Sequence, residues 1–203
     1  GGDGRRFKIL DTSIKYHPAE YHSQAAIEAA LALREGIDPE DIEAVEVRAF
    51  DAAVDIIADP EKWQPRSRET ADHSLPYIVA AALMDGEITE RQFAEERMRD
   101  PALRALVQKV KVHRDPELTR GYPGAIPTVV EVVAKGKKMS KRVDYPRGHA
   151  RNPMSDKEVE AKFRMLSRTR LSEERMERVL ESIWRLEEVG DVGELFPLLA
   201  VGP

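Results

Sequence analysis

The sequence predicts an α+β fold: a small, mostly antiparallel sheet of about four strands with helices packed on it, followed by a C-terminal helical extension. Four segments show the alternation or β-branched content of strands, and helix-capping signals mark the segments between and after them. The 203 residues are 41% hydrophobic and 34% charged, which is typical of a globular chain that can bury a core.

Helices and one strand are predicted in the first half of the chain. Residues 23–34 are rich in Ala and Leu, with apolar side chains on one face, and predict a helix. Apolar residues alternate with Glu and Arg over residues 42–50, the pattern of a half-buried strand, and residues 51–59 predict a short helix. We expect the charged residues 61–70 to form an exposed loop. The apolar run that follows, which ends at Gly86, predicts a buried helix.

Capping signals and β-branched runs organise the second half. Thr89-x-x-Gln92 and Ser155-x-x-Glu158 match the capping box, and Asp100-Pro101 marks another helix start. The remaining predicted elements are strands at 109–113, 128–134 and 138–145, helices at 155–168 and 172–188, and a short apolar tail. The Gly in Lys135-Gly136-Lys137 suits a tight hairpin between the last two strands.

Composition excludes several classes of partner and chemistry. The formal net charge is −5, so no overall positive field favours nucleic acid or an anionic membrane. Cysteine is absent, which removes disulfides and thiolate chemistry. No apolar run approaches the length of about 20 residues that a membrane helix needs, and the first residues lack a secretory signal. We therefore expect a cytoplasmic protein.

Three polar clusters are candidates for a site. Residues 13–24, which include Lys15 and His22, lie just before a helix whose N-terminus attracts carboxylates. The alternative is an ordinary helix entry with Ser23 as its cap.

The second cluster carries Arg147, His149 and Arg151 around Gly148, and arginines bind carboxylates with two hydrogen bonds. A solvated basic turn is the alternative. In the third cluster, residues 69–77, His73 either belongs to a cap of the buried helix or to the polar rim of a site.

Histidine spacing does not favour a metal site. The five histidines are His17, His22, His73, His113 and His149. No two of them have the i, i+4 spacing of a helical zinc pair, so the sequence predicts no metal site.

The same polar segments resemble the MmgE/PrpD family of 2-methylcitrate dehydratases. The family's sequence motifs are similar to KYHPAEYHSQAAIEAAL at residues 15–31, and then to DIEAVEVRAF, DHSLPYIVAAALMDGEIT, YPRGHARNP and KFRML. These matches occur in the family's order across residues 13–168.

The resemblance implies a metal- and cofactor-independent elimination of water from a tricarboxylic acid, 2-methylcitrate, in propionate breakdown. It implies that Lys15 binds a carboxylate or transfers a proton and that His22 orients substrate or acts as acid or base. It also implies substrate contacts for a wider set, namely His73, Arg147, His149 and Arg151. Alternatives are decarboxylation of cis-aconitate, epimerisation of a small dicarboxylate, or a non-catalytic carboxylate-binding or assembly module.

The resemblance also sets the expected domain organisation. Residues 1–150 would form a substrate-covering α+β domain, and residues 151–203 a helical extension that packs on a helical domain not contained in this sequence. That domain would belong to the same protein or to a separate subunit, and the assembled enzyme would be a homodimer.

Overall fold

A four-stranded mixed sheet is the centre of the N-terminal part of the chain in the computed structural model, which describes Gly4 and residues 7–200. The strands are β1 (Ile42–Ala49), β2 (Val110–Arg114), β3 (Thr128–Ala134) and β4 (Lys137–Val143). Their order is β2-β1-β3-β4, with β1 parallel to β2 and both other pairings antiparallel. The predicted α+β class and four-stranded, mostly antiparallel sheet are confirmed, while the one parallel pairing makes the sheet mixed.

Helices pack on one face of the sheet, connect its strands and form the C-terminal part. The described residues form ten α-helices: α1 (Gln24–Arg34), α2 (Asp51–Ile57), α3 (Arg68–Asp72), α4 (Leu75–Asp85), α5 (Glu95–Met98), α6 (Pro101–Gln108), α7 (Pro116–Thr119), α8 (Asp156–Ser167), α9 (Glu173–Trp184) and α10 (Leu195–Leu199). Short 3₁₀ turns are also present, at Lys8–Asp11, Tyr21–Ser23, Pro39–Asp41, Pro60–Trp63, Glu90–Phe93, Leu186–Glu188 and Val192–Glu194.

Helices α1 and α4 cover one face of the sheet. They pack on each other, with α1 against β3 and β4 and α4 against β2. The period of two in β1 buries Val45 and Val47 in this layer, whereas Glu46 and Arg48 lie on the opposite, charged face. Helix α4 is buried along nearly its whole length, as its apolar sequence predicts.

The predicted helix boundaries have clear chemical causes. The Ser74 hydroxyl accepts a hydrogen bond from the backbone N–H of Tyr77 at the start of α4, and Gly86 ends that helix with φ of 72°. Both predicted capping boxes, at Thr89 and Ser155, are confirmed. The β3–β4 hairpin turns at Lys135 and Gly136, which both have positive φ.

The prediction of a loop over residues 61–70 is wrong in part. A 3₁₀ turn, Pro60–Trp63, begins the segment, and α3 starts within its last residues. Ser67 caps α3 in a capping box that uses Thr70 in place of Glu or Gln, so the usual sequence signal was missing.

The chain divides into two compact units, one ending at Pro153 and one beginning at Met154. The second unit consists of α8, α9 and α10, and α9 contacts both of the others. Among the described residues, no helix is both long and apolar enough to span a bilayer. The expectation that the first residues lack a secretory signal falls partly on residues 1–3 and 5–6, which lie outside the described part of the chain.

Candidate active site

The turn before α1 is held together by the side chain of Gln24. Its Oε1 accepts a hydrogen bond from the N–H of His17 at 3.0 Å, and its Nε2 donates to the carbonyls of His17 and Ala19 at 3.1 and 3.2 Å. Ser23 occupies the N-cap position of α1, but its hydroxyl does not form the cap that one alternative predicted; it donates to the carbonyl of Glu20 at 2.6 Å. Both side chains are buried, so they fix the path of the residues that follow Lys15.

Glu20 and His22 form a hydrogen-bonded carboxylate–imidazole pair on this turn. Oε1 of Glu20 lies 2.8 Å from Nδ1 of His22, and Oε2 accepts the backbone N–H of the same histidine at 2.6 Å. The two side chains are only 12% and 13% exposed. A partly buried histidine with an oriented ring is suited to proton transfer.

Aromatic rings surround the imidazole of His22. The ring centroid of Phe50 lies 5.4 Å from it and that of Tyr122 lies 5.7 Å away. Phe50 and Tyr122 stack on each other with 4.7 Å between centroids. Phe50 follows β1 and Tyr122 precedes β3, so the sheet brings both rings to the turn before α1.

His22 also affects the charge of the Glu20 side chain. Burial alone would raise the pKa of this carboxyl, but the hydrogen bonds and charge of His22, with a smaller contribution from His73, outweigh that effect. The pKa of Glu20 is therefore held below its ordinary value of 4.5. The carboxylate remains ionised at neutral pH and can stabilise a positive imidazolium.

Lys15 is exposed on an irregular segment that lies along the loop after β4. The N–H of Ile14 donates to the carbonyl of Gly148 at 2.8 Å, and the Ser13 hydroxyl accepts from the N–H of Ala150 at 3.2 Å. The hydroxyl of Tyr21 also donates to that of Ser13 at 3.2 Å. These contacts bring the predicted first and second clusters together.

The loop after β4 presents Arg151 on the side of Tyr122. Its Nη1 donates to the hydroxyl of Tyr145 at 2.7 Å. A Cβ built on Gly124, two residues after Tyr122, would lie 4.0 Å from Nη2 of Arg151. The guanidinium therefore lies beside the loop that carries the Tyr122 ring.

His149 has a different environment from His22. It is 7% exposed, and its Nδ1 accepts the backbone N–H of Arg151 at 3.0 Å. Burial, followed by the charge of Arg151, lowers the pKa of His149, which favours a neutral ring. These contacts order the loop and support a structural role for this histidine.

Arg147 lies beside a separate cavity. Its guanidinium stacks over the ring of Tyr16 at 4.6 Å, and its backbone N–H donates to the carboxylate of Glu28. Together with His17 and Arg34 these residues line an open cavity of about 670 Å³, whose described lining does not include His22. The structure thus groups Arg147 with Tyr16, His17 and Glu28.

His73 connects the third cluster to the first. Its Nδ1 contacts the carboxylate of Asp72, and the carbonyl of Asp72 accepts the N–H of Glu20 at 2.9 Å. His73 is exposed at the end of α3, whereas Ser74 caps α4. Ser74 thus provides the predicted cap of α4, and the position of His73 on the rim of a site stays a prediction.

Sequence reasoning missed four residues of this site. Glu20 and Gln24 were inside a predicted cluster but had no assigned role, and Phe50 and Tyr122 lie far away in the chain. The spacing Glu20-x-His22 was the one available signal. Among the described residues, no three His, Asp or Glu side chains group closely enough to hold a metal ion.

Fold and site together define a class: an α+β domain that presents a carboxylate–histidine pair and a basic loop at one end of its sheet. The chain belongs to the MmgE/PrpD family, because the model of the MmgE/PrpD C-terminal domain matches residues 17–186. The family resemblance predicted from the sequence is confirmed.

Three relatives illustrate the range of the family. A 2-methylcitrate dehydratase of Salmonella typhimurium is 34% identical over 66% of this chain and 30% of that protein. A cis-aconitate decarboxylase of Mus musculus is 28% identical over 93% and 39%. The 2-methylcitrate dehydratase-like protein oryR of Aspergillus oryzae is 30% identical over 86% and 38%. The chain thus spans 30 to 39% of the length of these relatives.

Proposed function

We propose that this chain forms one wall of the active site of a metal-independent lyase that eliminates water from 2-methylcitrate or a close tricarboxylic acid. The observation that carries the proposal is the Glu20–His22 pair, which lies on the segment that resembles the family's characteristic one. The name of the Salmonella relative supports the substrate, and the basic residues Lys15 and Arg151 fit its carboxylates.

The proposed reaction is a β-elimination. A base removes a proton from a carbon next to a carboxylate, the C–H electrons form the double bond, and the hydroxyl leaves as water after an acid protonates it. We assign acid–base work to His22, and carboxylate binding or proton transfer to Lys15. We propose substrate contacts for Arg151 and His73, and for Arg147 and His149 only if the loop or the adjoining domain moves.

Decarboxylation of cis-aconitate is the main alternative, and the mouse relative supports it. Both substrates carry three carboxylates, so the cationic residues fit both. Epimerisation of a small dicarboxylate would use the same base. A non-catalytic carboxylate-binding or assembly module would keep Lys15 and Arg151 without turnover.

The rest of the pocket is proposed to come from a helical domain on which residues 151–203 pack, in the same protein or in a separate subunit. We further propose a cytoplasmic homodimer. Residues 1–150 would cover the substrate from the opposite side.

A comparison of substrates tests the function. The chain is combined with the N-terminal portion of the Salmonella relative and supplied in turn with 2-methylcitrate, citrate and cis-aconitate. Absorbance of an unsaturated product from 2-methylcitrate is the expected result, and release of CO₂ from cis-aconitate alone would favour the decarboxylase. Saturable binding of tricarboxylate without turnover of any substrate would favour the non-catalytic module.

A further inference from the structure

We propose that Glu20 is a positioning residue that holds His22 in the tautomer protonated on Nδ1, so that Nε2 is the atom that accepts the substrate proton. This inference rests on the proposed function for its role in catalysis, but its structural part can be tested without turnover.

The hydrogen-bond donors and acceptors of Glu20 and His22 allow one protonation pattern of the neutral imidazole. A carboxylate only accepts hydrogen bonds, and both oxygens of Glu20 are engaged by His22, one by the backbone N–H and the other by the ring. Nδ1 of His22 must therefore carry a hydrogen. In a neutral imidazole the other nitrogen, Nε2, then has the free electron pair. Within the described part of the chain, no group forms a hydrogen bond with Nε2.

The carboxylate cannot turn away easily, because its backbone is anchored on both sides. The N–H of Glu20 donates to the carbonyl of Asp72, and its carbonyl accepts the hydroxyl of Ser23. The rings of Phe50 and Tyr122 contact the imidazole and limit its rotation. An oriented base needs no reorganisation when the substrate arrives.

In the elimination, Nε2 would take the proton from the carbon beside a carboxylate. The imidazolium that results carries a proton on both nitrogens, and the ionised Glu20 lies 2.8 Å from Nδ1 to stabilise its charge. The leaving hydroxyl becomes water with a proton from an acid of the site, for which Lys15 is our candidate.

Replacing Glu20 by Gln should reverse the tautomer. The single amide oxygen of Gln would accept the backbone N–H of His22, which has no other acceptor on this turn, so the NH₂ group would face Nδ1. An NH₂ donor requires Nδ1 to accept, and the ring would then be protonated on Nε2. Glu20→Asp keeps two acceptor oxygens and is expected to retain part of the original arrangement.

His149 provides an internal reference for the same measurement. Its Nδ1 accepts the backbone N–H of Arg151, so its neutral ring must carry the hydrogen on Nε2. The structure therefore predicts opposite tautomers for His22 and His149 within one protein.

The test is a long-range ¹H–¹⁵N correlation spectrum of the imidazole rings of this chain at about pH 8.5, well above the ordinary histidine pKa of about 6.5. We expect the neutral His22 ring to carry its hydrogen on Nδ1 in the wild-type and Glu20→Asp chains and on Nε2 in the Glu20→Gln chain. The His149 ring should carry its hydrogen on Nε2 in all three chains. A wild-type His22 protonated on Nε2 would overturn the inference. So would a folded Glu20→Gln chain that keeps the Nδ1 form, and a backbone ¹H–¹⁵N spectrum reports whether it is folded.

Activity of the complemented enzyme separates this inference from the proposed function. Glu20→Gln should lower kcat/KM by about 10²- to 10⁴-fold, with partial recovery in Glu20→Asp, because a wrong tautomer presents N–H where a base is needed. The matched control is Glu46→Gln. This change alters the exposed Glu46–His113 pair on the charged face of the sheet, opposite α1 and α4, and should leave activity unchanged. If the tautomers are as predicted but the enzyme acts on no tricarboxylate, the proposed function is refuted. The assignment of Glu20 as the residue that sets the His22 tautomer then remains valid.

Discussion

At the scale of single residues, the environment of each histidine separates its chemistry from that of the others. His22 faces a carboxylate and two aromatic rings, whereas His149 faces a backbone N–H and His113 pairs with Glu46 in an exposed position. Sequence alone shows five histidines, but it does not show which group faces each ring. That information depends on contacts such as those of Phe50 and Tyr122 with His22, which only the folded sheet creates.

Lys15 is the residue that tests the catalytic proposal with least disturbance of the fold, because it is exposed. Lys15→Ala is expected to reduce kcat/KM of the complemented enzyme by about 10²-fold or more if Lys15 takes part in proton transfer. Lys111→Ala, at another exposed lysine, is the control and should leave kcat/KM unchanged. Equal activity of the two variants would remove Lys15 from the site.

The lowered pKa of Glu20 predicts a pH dependence of stability. A carboxyl whose pKa is depressed in the folded state contributes stability above its unfolded value of about 4.5, and that contribution is lost as the pH falls through the folded value. Glu20→Gln should therefore lose less free energy of unfolding than the wild type as the pH falls below about 4.5. Chemical denaturation at several pH values measures this difference.

Glu28 provides a control of opposite sign. Burial raises its pKa more than the backbone N–H and charge of Arg147 lower it, so its ionisation costs stability as the pH rises through the folded value. Glu28→Gln should remove that loss. Identical pH profiles for the wild type and both variants would show that neither shift exists.

At the scale of elements, hydrophobic alternation in the strands and capping signals at the helix starts predicted most of the fold. The burial of every second residue in β1 and the Ser155-x-x-Glu158 box were visible in the sequence, and the structure has both. The parallel pairing of β2 with β1 could not be predicted, because the short alternating pattern at 109–113 does not specify the direction of a strand relative to its neighbour. Helix α3 was missed because Thr70 replaces the usual acidic or amide residue of its capping box.

Gln24 links the turn at 17–20 to α1, so its loss should affect the whole element. Gln24→Ala removes four hydrogen bonds, three of them buried, and leaves the N–H of His17 without its acceptor. We expect a loss of about 1–3 kcal/mol in the free energy of unfolding. Gln108→Ala, which removes one exposed hydrogen bond to Trp63, should cost less than about 0.5 kcal/mol. Comparable losses in both variants would contradict the role of Gln24.

At the scale of the whole molecule, the second unit exposes several large apolar side chains. On α9 and α10 they include Ile183, Trp184 and Phe196, and Trp184 is 45% exposed. If a helical domain covers this unit as we propose, apolar surface would leave water on assembly.

Trp184 can report that event. In a Trp63→Phe chain, where Trp184 is the one remaining tryptophan, its emission should move to shorter wavelength when the N-terminal portion of a relative is added. The measurement is a fluorescence titration, with an unrelated helical protein as the control. Emission that stays the same while the two parts co-elute would show that they assemble through another surface.

The central claim is that this chain supplies acid–base groups to a tricarboxylate lyase through His22. The most direct test is kcat/KM for 2-methylcitrate, measured on the complemented enzyme with wild-type and His22→Gln chains. We predict that the substitution lowers kcat/KM by about 10²-fold or more while assembly is retained. Wild-type turnover by an assembled His22→Gln enzyme would contradict the account.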